Sequence, residues 1–176
     1  MISYEYAVYY KLLLLCGYTE ELRDYIDTAL VEQNPISDVV LELSTAGSDD
    51  KRLLTVLNEY LSNVQDSDID YDSEVFELVM SFFRKKYVEE AASMAEVAAL
   101  MYQMAVHTGR YLEEPWYTMY FMGDMLEEAD NGYIDKKDYQ RRFHAFVCES
   151  ICLRDQRDCP KKRLSIGQWI RRMTSR

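Results

Sequence analysis

Between Met94 and Val106 the chain reads MAEVAALMYQMAV, and only Glu96 and Gln103 in that stretch are polar. His107 and Arg110 extend the same narrow stripe. A helix that is apolar around most of its girth has to be enclosed by other elements, because a single buried face would leave the rest of its hydrocarbon in water. The stretch therefore predicts a central helix at about 94–108. Ser93 and Glu96 have the spacing of a capping box at its start, and Gly109 is placed to close it.

The segments available to wrap that helix also read as helices. Six glycines and three prolines are few for 176 residues, and long runs of Leu, Glu, Met, Ala, Lys and Arg carry helical periodicity. The first predicted helix runs from about Tyr4 to Cys16 and ends at Gly17. The second starts after Thr19, with Leu22, Tyr25, Ile26, Ala29 and Leu30 on one face, and stops before Pro35. A short third covers about Ile36 to Thr45. Gly47 closes it, and Ser48 is placed to cap a fourth that carries Leu53, Leu57, Tyr60, Leu61 and Val64. A fifth covers about Ser73 to Val88, a seventh starts at Pro115, and an eighth runs from about Lys136 to Leu153. The 15 tyrosines and nine methionines are assigned mainly to the apolar faces of these helices. No repeat period relates the helix pairs, so a solenoid is not expected. The predicted fold is all-α: an irregular single-domain bundle of about eight helices around the central one.

Charge divides the chain in two. Residues 154–176 hold eight bases (Arg154, Arg157, Lys161, Lys162, Arg163, Arg171, Arg172 and Arg176) against Asp155 and Asp158, a net of +6. The whole chain is −11, so residues 1–153 carry −17. The sequence thus predicts an acidic helical domain over 1–153 and a basic C-terminal tail over 154–176. Such a body repels nucleic acid and anionic membrane surfaces and attracts basic proteins over about one Debye length, near 8 Å at physiological salt. In the tail, Leu164, Ile166, Trp169, Ile170 and Met173 are apolar. It could fold back, engage a partner or touch a membrane surface; tethering to an oppositely charged body favours folding back.

No segment approaches the roughly twenty apolar residues needed to cross a bilayer. The amino-terminal MISYEYAVYYKLLLLCG has Glu5 before its apolar run and Lys11 within it, unlike a signal peptide or an anchor. Cys16, Cys148, Cys152 and Cys159 lack the even spread of a disulfide framework. A cytoplasmic protein is expected.

Two segments resemble the twelve-residue EF-hand calcium loop, each incompletely. In DSDIDYDSEVFE (66–77), Asp66, Asp68, Asp70, Glu74 and Glu77 occupy the five ligand positions, but Tyr71 stands where the loop turns on glycine. In EEADNGYIDKKD (127–138), Gly132 sits at the turn, yet Ala129 replaces a ligand and Asp138 is shorter than the usual closing Glu. The resemblance implies a calcium-responsive protein. The residues alone read more simply: a helix end, a glycine turn and an Asp135 cap in the second, and an acidic linker in the first. His144, Cys148 and Cys152 lie near one helical face with Cys159 beyond, but three ligands spread over roughly 12 Å of one helix axis do not converge on one zinc ion. The sequence carries none of the nucleotide-binding, serine-nucleophile or zinc-protease motifs, so an enzyme would work through scattered carboxylates. No cofactor or metal is expected.

These features predict a non-catalytic acidic module that binds a basic protein partner; an immunity- or antitoxin-type inhibitor is one setting in which that charge is used. The densest acidic segments supply the candidate contacts: Asp66, Asp68, Asp70, Asp72, Glu74 and Glu77 in one, Glu127, Glu128 and Asp130 in the other.

Overall fold

The computed structural model describes residues 2–64, 71–150 and 152, with the backbone alone at 71 and 72. Asp66, Asp68, Asp70, the Asp72 side chain, Cys159 and the basic tail lie outside the described residues. The chain is all-helical, with no strand among the described residues. Eight α-helices follow in order: α1 (Tyr4–Leu15), α2 (Glu20–Glu32), α3 (Asp38–Ala46), α4 (Asp50–Asn63), α5 (Phe76–Arg84), α6 (Met94–Thr108), α7 (Trp116–Asp130) and α8 (Lys136–Glu149). Wider π-helical turns over Tyr71–Val75 and Lys85–Glu89 lengthen α5 at both ends.

Local chemistry sets most of the boundaries. The capping box forms in full at α6: the Ser93 hydroxyl accepts the Glu96 amide, and the Glu96 carboxylate accepts the Ser93 amide at 2.8 Å. Gly109 ends the helix at φ 71°, a left-handed conformation that costs a side-chain-bearing residue energy. At α4 the cap is Asp49, not the expected Ser48; its carboxylate accepts the amides of Lys51 and Arg52. A carboxylate next to the amide dipoles is the stronger acceptor, so the start moves on by one residue. Helix α8 stops at Glu149, short of the expected Leu153, because Ser150 turns left-handed.

Helix α1 is enclosed on several sides. It packs against α4, α5, α6 and the turn at Tyr71–Val75, and it buries Ala7, Val8, Tyr9, Tyr10, Leu12, Leu13 and Leu14. Burial at consecutive positions means burial all round, which only a surrounded helix achieves. The expected central helix, α6, is covered on one broad side: Val97, Ala98, Met101, Met104 and Ala105 are buried. Ala95, Ala99, Tyr102 and Val106 face water. Its main neighbour is α7, with α1 and the Lys85–Glu89 turn touching its flanks. Alanine and tyrosine tolerate that exposure, the first through its small area and the second through its hydroxyl.

One connected apolar cluster draws residues from all eight helices. At one end of the bundle the Phe76 ring meets Trp116 at 5.3 Å and Phe146 at 6.1 Å, tying α5, the start of α7 and the last turn of α8 together. Arg84 holds the same end: its Nε donates to the Val147 carbonyl at 3.1 Å and its guanidinium to Ser150 Oγ at 2.6 Å.

Candidate partner-binding surface

Helix α7 turns a two-part face outward. Tyr117, Tyr120, Phe121, Asp124 and Glu128 recur at i, i+3, i+4, i+7 and i+11, with Glu127 beside them. The first half is aromatic and the second half carboxylate. Tyr117 stacks on Phe121 at 5.7 Å. Tyr120 lies against Tyr102 of α6 at 4.8 Å and against Tyr111 of the connecting loop at 5.3 Å. Val106 sits one turn beyond Tyr102, so the band continues onto the open side of α6. Tyr102 and Val106 are 39% and 40% exposed and Tyr117 38%, values high enough for these side chains to be met from solvent. Hydrogen bonding to Tyr102 is the main influence that raises the Tyr120 phenol above its ordinary value, and Asp124 adds to it.

Among the predicted contact residues, Glu127 and Glu128 are exposed on this face and form no ion pair among the described residues. Asp130 is exposed but joins Lys136 at 2.8 Å across the α7–α8 turn. Glu74 is exposed on the turn leading into α5. Glu77 is exposed and reaches Arg84 at 3.5 Å, the residue that clamps the end of α8. Other acids hold local tasks: Asp138 pairs with Arg141 and Arg142, and Glu21 lies 3.8 Å from Lys85.

Residues 127–138 do not make a twelve-residue loop. Glu127 and Glu128 belong to α7 and Lys136 onward to α8, leaving a short turn in which Gly132 adopts φ 78°. The amides of Asn131 and Tyr133 donate to the carbonyls of Glu127 and Glu128, closing α7. The Asp135 carboxylate caps α8 by accepting the amides of Lys137 and Asp138 at 2.8 and 3.1 Å. Of the two readings of this segment, the helix end with a glycine turn and an Asp135 cap is the one the chain adopts.

His144 and Cys148 meet on α8, with Sγ 3.7 Å from Nε2. Burial is the main cause that raises the Cys148 thiol, which is the direction away from a reactive thiolate. No group of three or more His, Cys, Asp or Glu side chains suited to a metal occurs among the described residues.

A cleft of about 470 Å³ lies between α1, α2 and α5, lined by Tyr6, Tyr9, Glu21, Phe82, Arg84, Lys85 and neighbours. Within it the Tyr9 hydroxyl donates to Glu21 at 2.5 Å. Burial, and then that bond, hold the Tyr9 phenol far above its usual range, so it stays protonated as a donor. Tyr9 and Glu21 thereby satisfy each other.

Among the described residues no Asp, Glu, Lys, Arg or His is fully buried, and the buried polar side chain is Thr118. The charge of the body therefore acts outward. No helix of the described residues is long and apolar enough to cross a membrane. No protein-family model, curated protein or solved structure matches the chain.

Sequence reasoning missed the aromatic half of this surface. Its tyrosines follow the same 3.6-residue periodicity as core residues and were assigned to buried faces on that ground. The available signal was the excess of apolar girth on α6 over what one neighbour covers, together with tyrosine rather than leucine or phenylalanine at Tyr102, Tyr117 and Tyr120.

Proposed function

We propose that the protein is a non-catalytic acidic binding module that takes a basic, amphipathic segment of a partner protein on the outward face of α6 and α7. The observation that carries this reading is the juxtaposition on one surface of exposed Tyr117 and half-buried Phe121, beside exposed Tyr102 and Val106, with Asp124, Glu127 and Glu128. Aromatic side chains supply contact area at low conformational cost, and they accept cations on their ring faces. Carboxylates beside them, which form no ion pair among the described residues, steer a basic partner and fix its register. Inhibition of a basic enzyme, of the immunity or antitoxin kind, is a biological setting that suits this chemistry. Free thiols at Cys16 and Cys148 support a cytoplasmic location.

The test is fluorescence anisotropy with labelled amphipathic peptides of matched length, one rich in Arg and Lys and one rich in Glu. The full-length chain is expected to bind the basic peptide alone. That affinity should fall steeply between about 0.01 and 1 M salt, as the Debye length shrinks from about 30 to about 3 Å. It should also fall in the triple variant Asp124→Asn, Glu127→Gln, Glu128→Gln. Binding that ignores salt or the triple substitution would overturn the assignment.

A further inference from the structure

We propose that the aromatic band of α6 and α7 is the docking site of this chain's own basic C-terminal segment, residues 154–176, whose apolar residues lie on the band while its bases face Asp124, Glu127 and Glu128. The proposal shares its surface with the proposed function: an external basic segment reaches the band by displacing the docked tail.

Three observations converge on this occupant. The first is chemical complementarity in both respects at once. The segment carries eight bases and the apolar residues Leu164, Ile166, Trp169, Ile170 and Met173; the band offers exposed Tyr102, Val106 and Tyr117 next to exposed carboxylates. The second is position. The described chain leaves α8 at Ser150, beside Arg84, at the end of the bundle where Phe76 joins Phe146 to Trp116, the first residue of α7. Tyr117 and Tyr120 stand in the turn that Trp116 begins. From Cys152 to Leu164 the chain extends up to about 40 Å, which is more than one bundle face requires. The third is the exclusion of a second copy as occupant. Self-association through this face would set Asp124, Glu127 and Glu128 against acidic bodies of −17 like their own, where like charges oppose association. A tethered basic segment meets the band at high effective concentration instead.

The two tryptophans make the proposal measurable in the full-length chain. Trp116 is fully buried, so an aqueous quencher such as acrylamide reads Trp169. In the unaltered protein both indoles should resist quenching. Val106→Glu and, independently, Tyr117→Glu place a charge in the band from α6 and from α7. Either should make about half of the tryptophan emission quenchable, one indole of two. Val31→Glu is the control, because Val31 is 86% exposed on α2 away from the band; it should behave as the unaltered chain. Circular dichroism establishes that each variant keeps its helices.

Free quenching of Trp169 in the unaltered protein would overturn the proposal outright. So would protection that survives both band variants, which would place the segment elsewhere. Protection that disappears on dilution would assign it to a tail exchanged between two copies and overturn docking within one chain. Because no ligand is added, failure here leaves the external-partner reading to its own binding test.

Discussion

At the scale of single residues, Ser93 and Glu96 show how two side chains define where a helix begins and how that definition depends on pH. The Ser93 hydroxyl, and then the Ser93 amide, hold the Glu96 carboxyl below its ordinary value of 4.5. A carboxyl whose folded value lies below its unfolded value adds stability above the unfolded value, and that contribution is lost as pH falls through the folded one. Glu96→Gln should therefore melt below the unaltered protein at neutral pH, and the gap should close as the solution is acidified past that range. Thermal melts across a pH series measure this directly; a gap that stayed constant with pH would show that the charge is not what the cap uses. Both residues were legible from spacing alone, because a capping box is completed within four positions and needs no tertiary neighbour. Ser48, the expected cap of α4, gives way to its neighbour Asp49, whose carboxylate accepts the amides of Lys51 and Arg52.

At the scale of elements, α6 and α7 pack closely enough that Gly123 of α7 faces Tyr102 and Ala98. A Cβ added at Gly123 would stand 3.6 Å from Tyr102 Cβ and 3.8 Å from the Ala98 carbonyl, ordinary contact distances. Gly123→Ala should then stabilise the protein, because alanine gains about 0.8–1 kcal/mol of helix propensity over glycine. A fall in melting temperature would mean the helices cannot accommodate even ordinary contact there. The relation between α1 and α6 supplies a second comparison. Leu13 is buried inside the surrounded helix, whereas Ala99 lies on the open side of α6. Leu13→Ala is expected to cost about 2–5 kcal/mol, and Ala99→Ser to stay within about 0.5 kcal/mol. With about 2–4 °C of melting temperature per kcal/mol in a chain of this size, one differential scan separates the two. Equal losses would contradict the exposure of the α6 face.

At the scale of the whole molecule, charge dominates. The body carries −17, while many of its cations are already matched locally: Arg23 with Asp50, Lys86 with Glu90, Lys136 with Asp130, Arg141 and Arg142 with Asp138. These are largely exposed pairs of small individual worth, so screening them costs little, whereas screening the surplus negative charge relieves repulsion through the whole fold. Added sodium chloride should accordingly raise the melting temperature between low ionic strength and about 0.15 M. A fall over that range would mean that specific ion pairs outweigh the net field.

The sequence by itself determined the helices, most of their caps, the net negative charge and the glycine turn between α7 and α8, because each follows from interactions within a few residues or from simple summation. Only the tertiary structure decided which apolar helix is enclosed. Residues 94–106 and α1 look alike as sequences, but burial depends on how many neighbours arrive, and α1 receives four where α6 receives fewer. The same fact placed the aromatic band on the surface: periodicity tells which residues share a face, and the other helices decide whether that face meets protein or water.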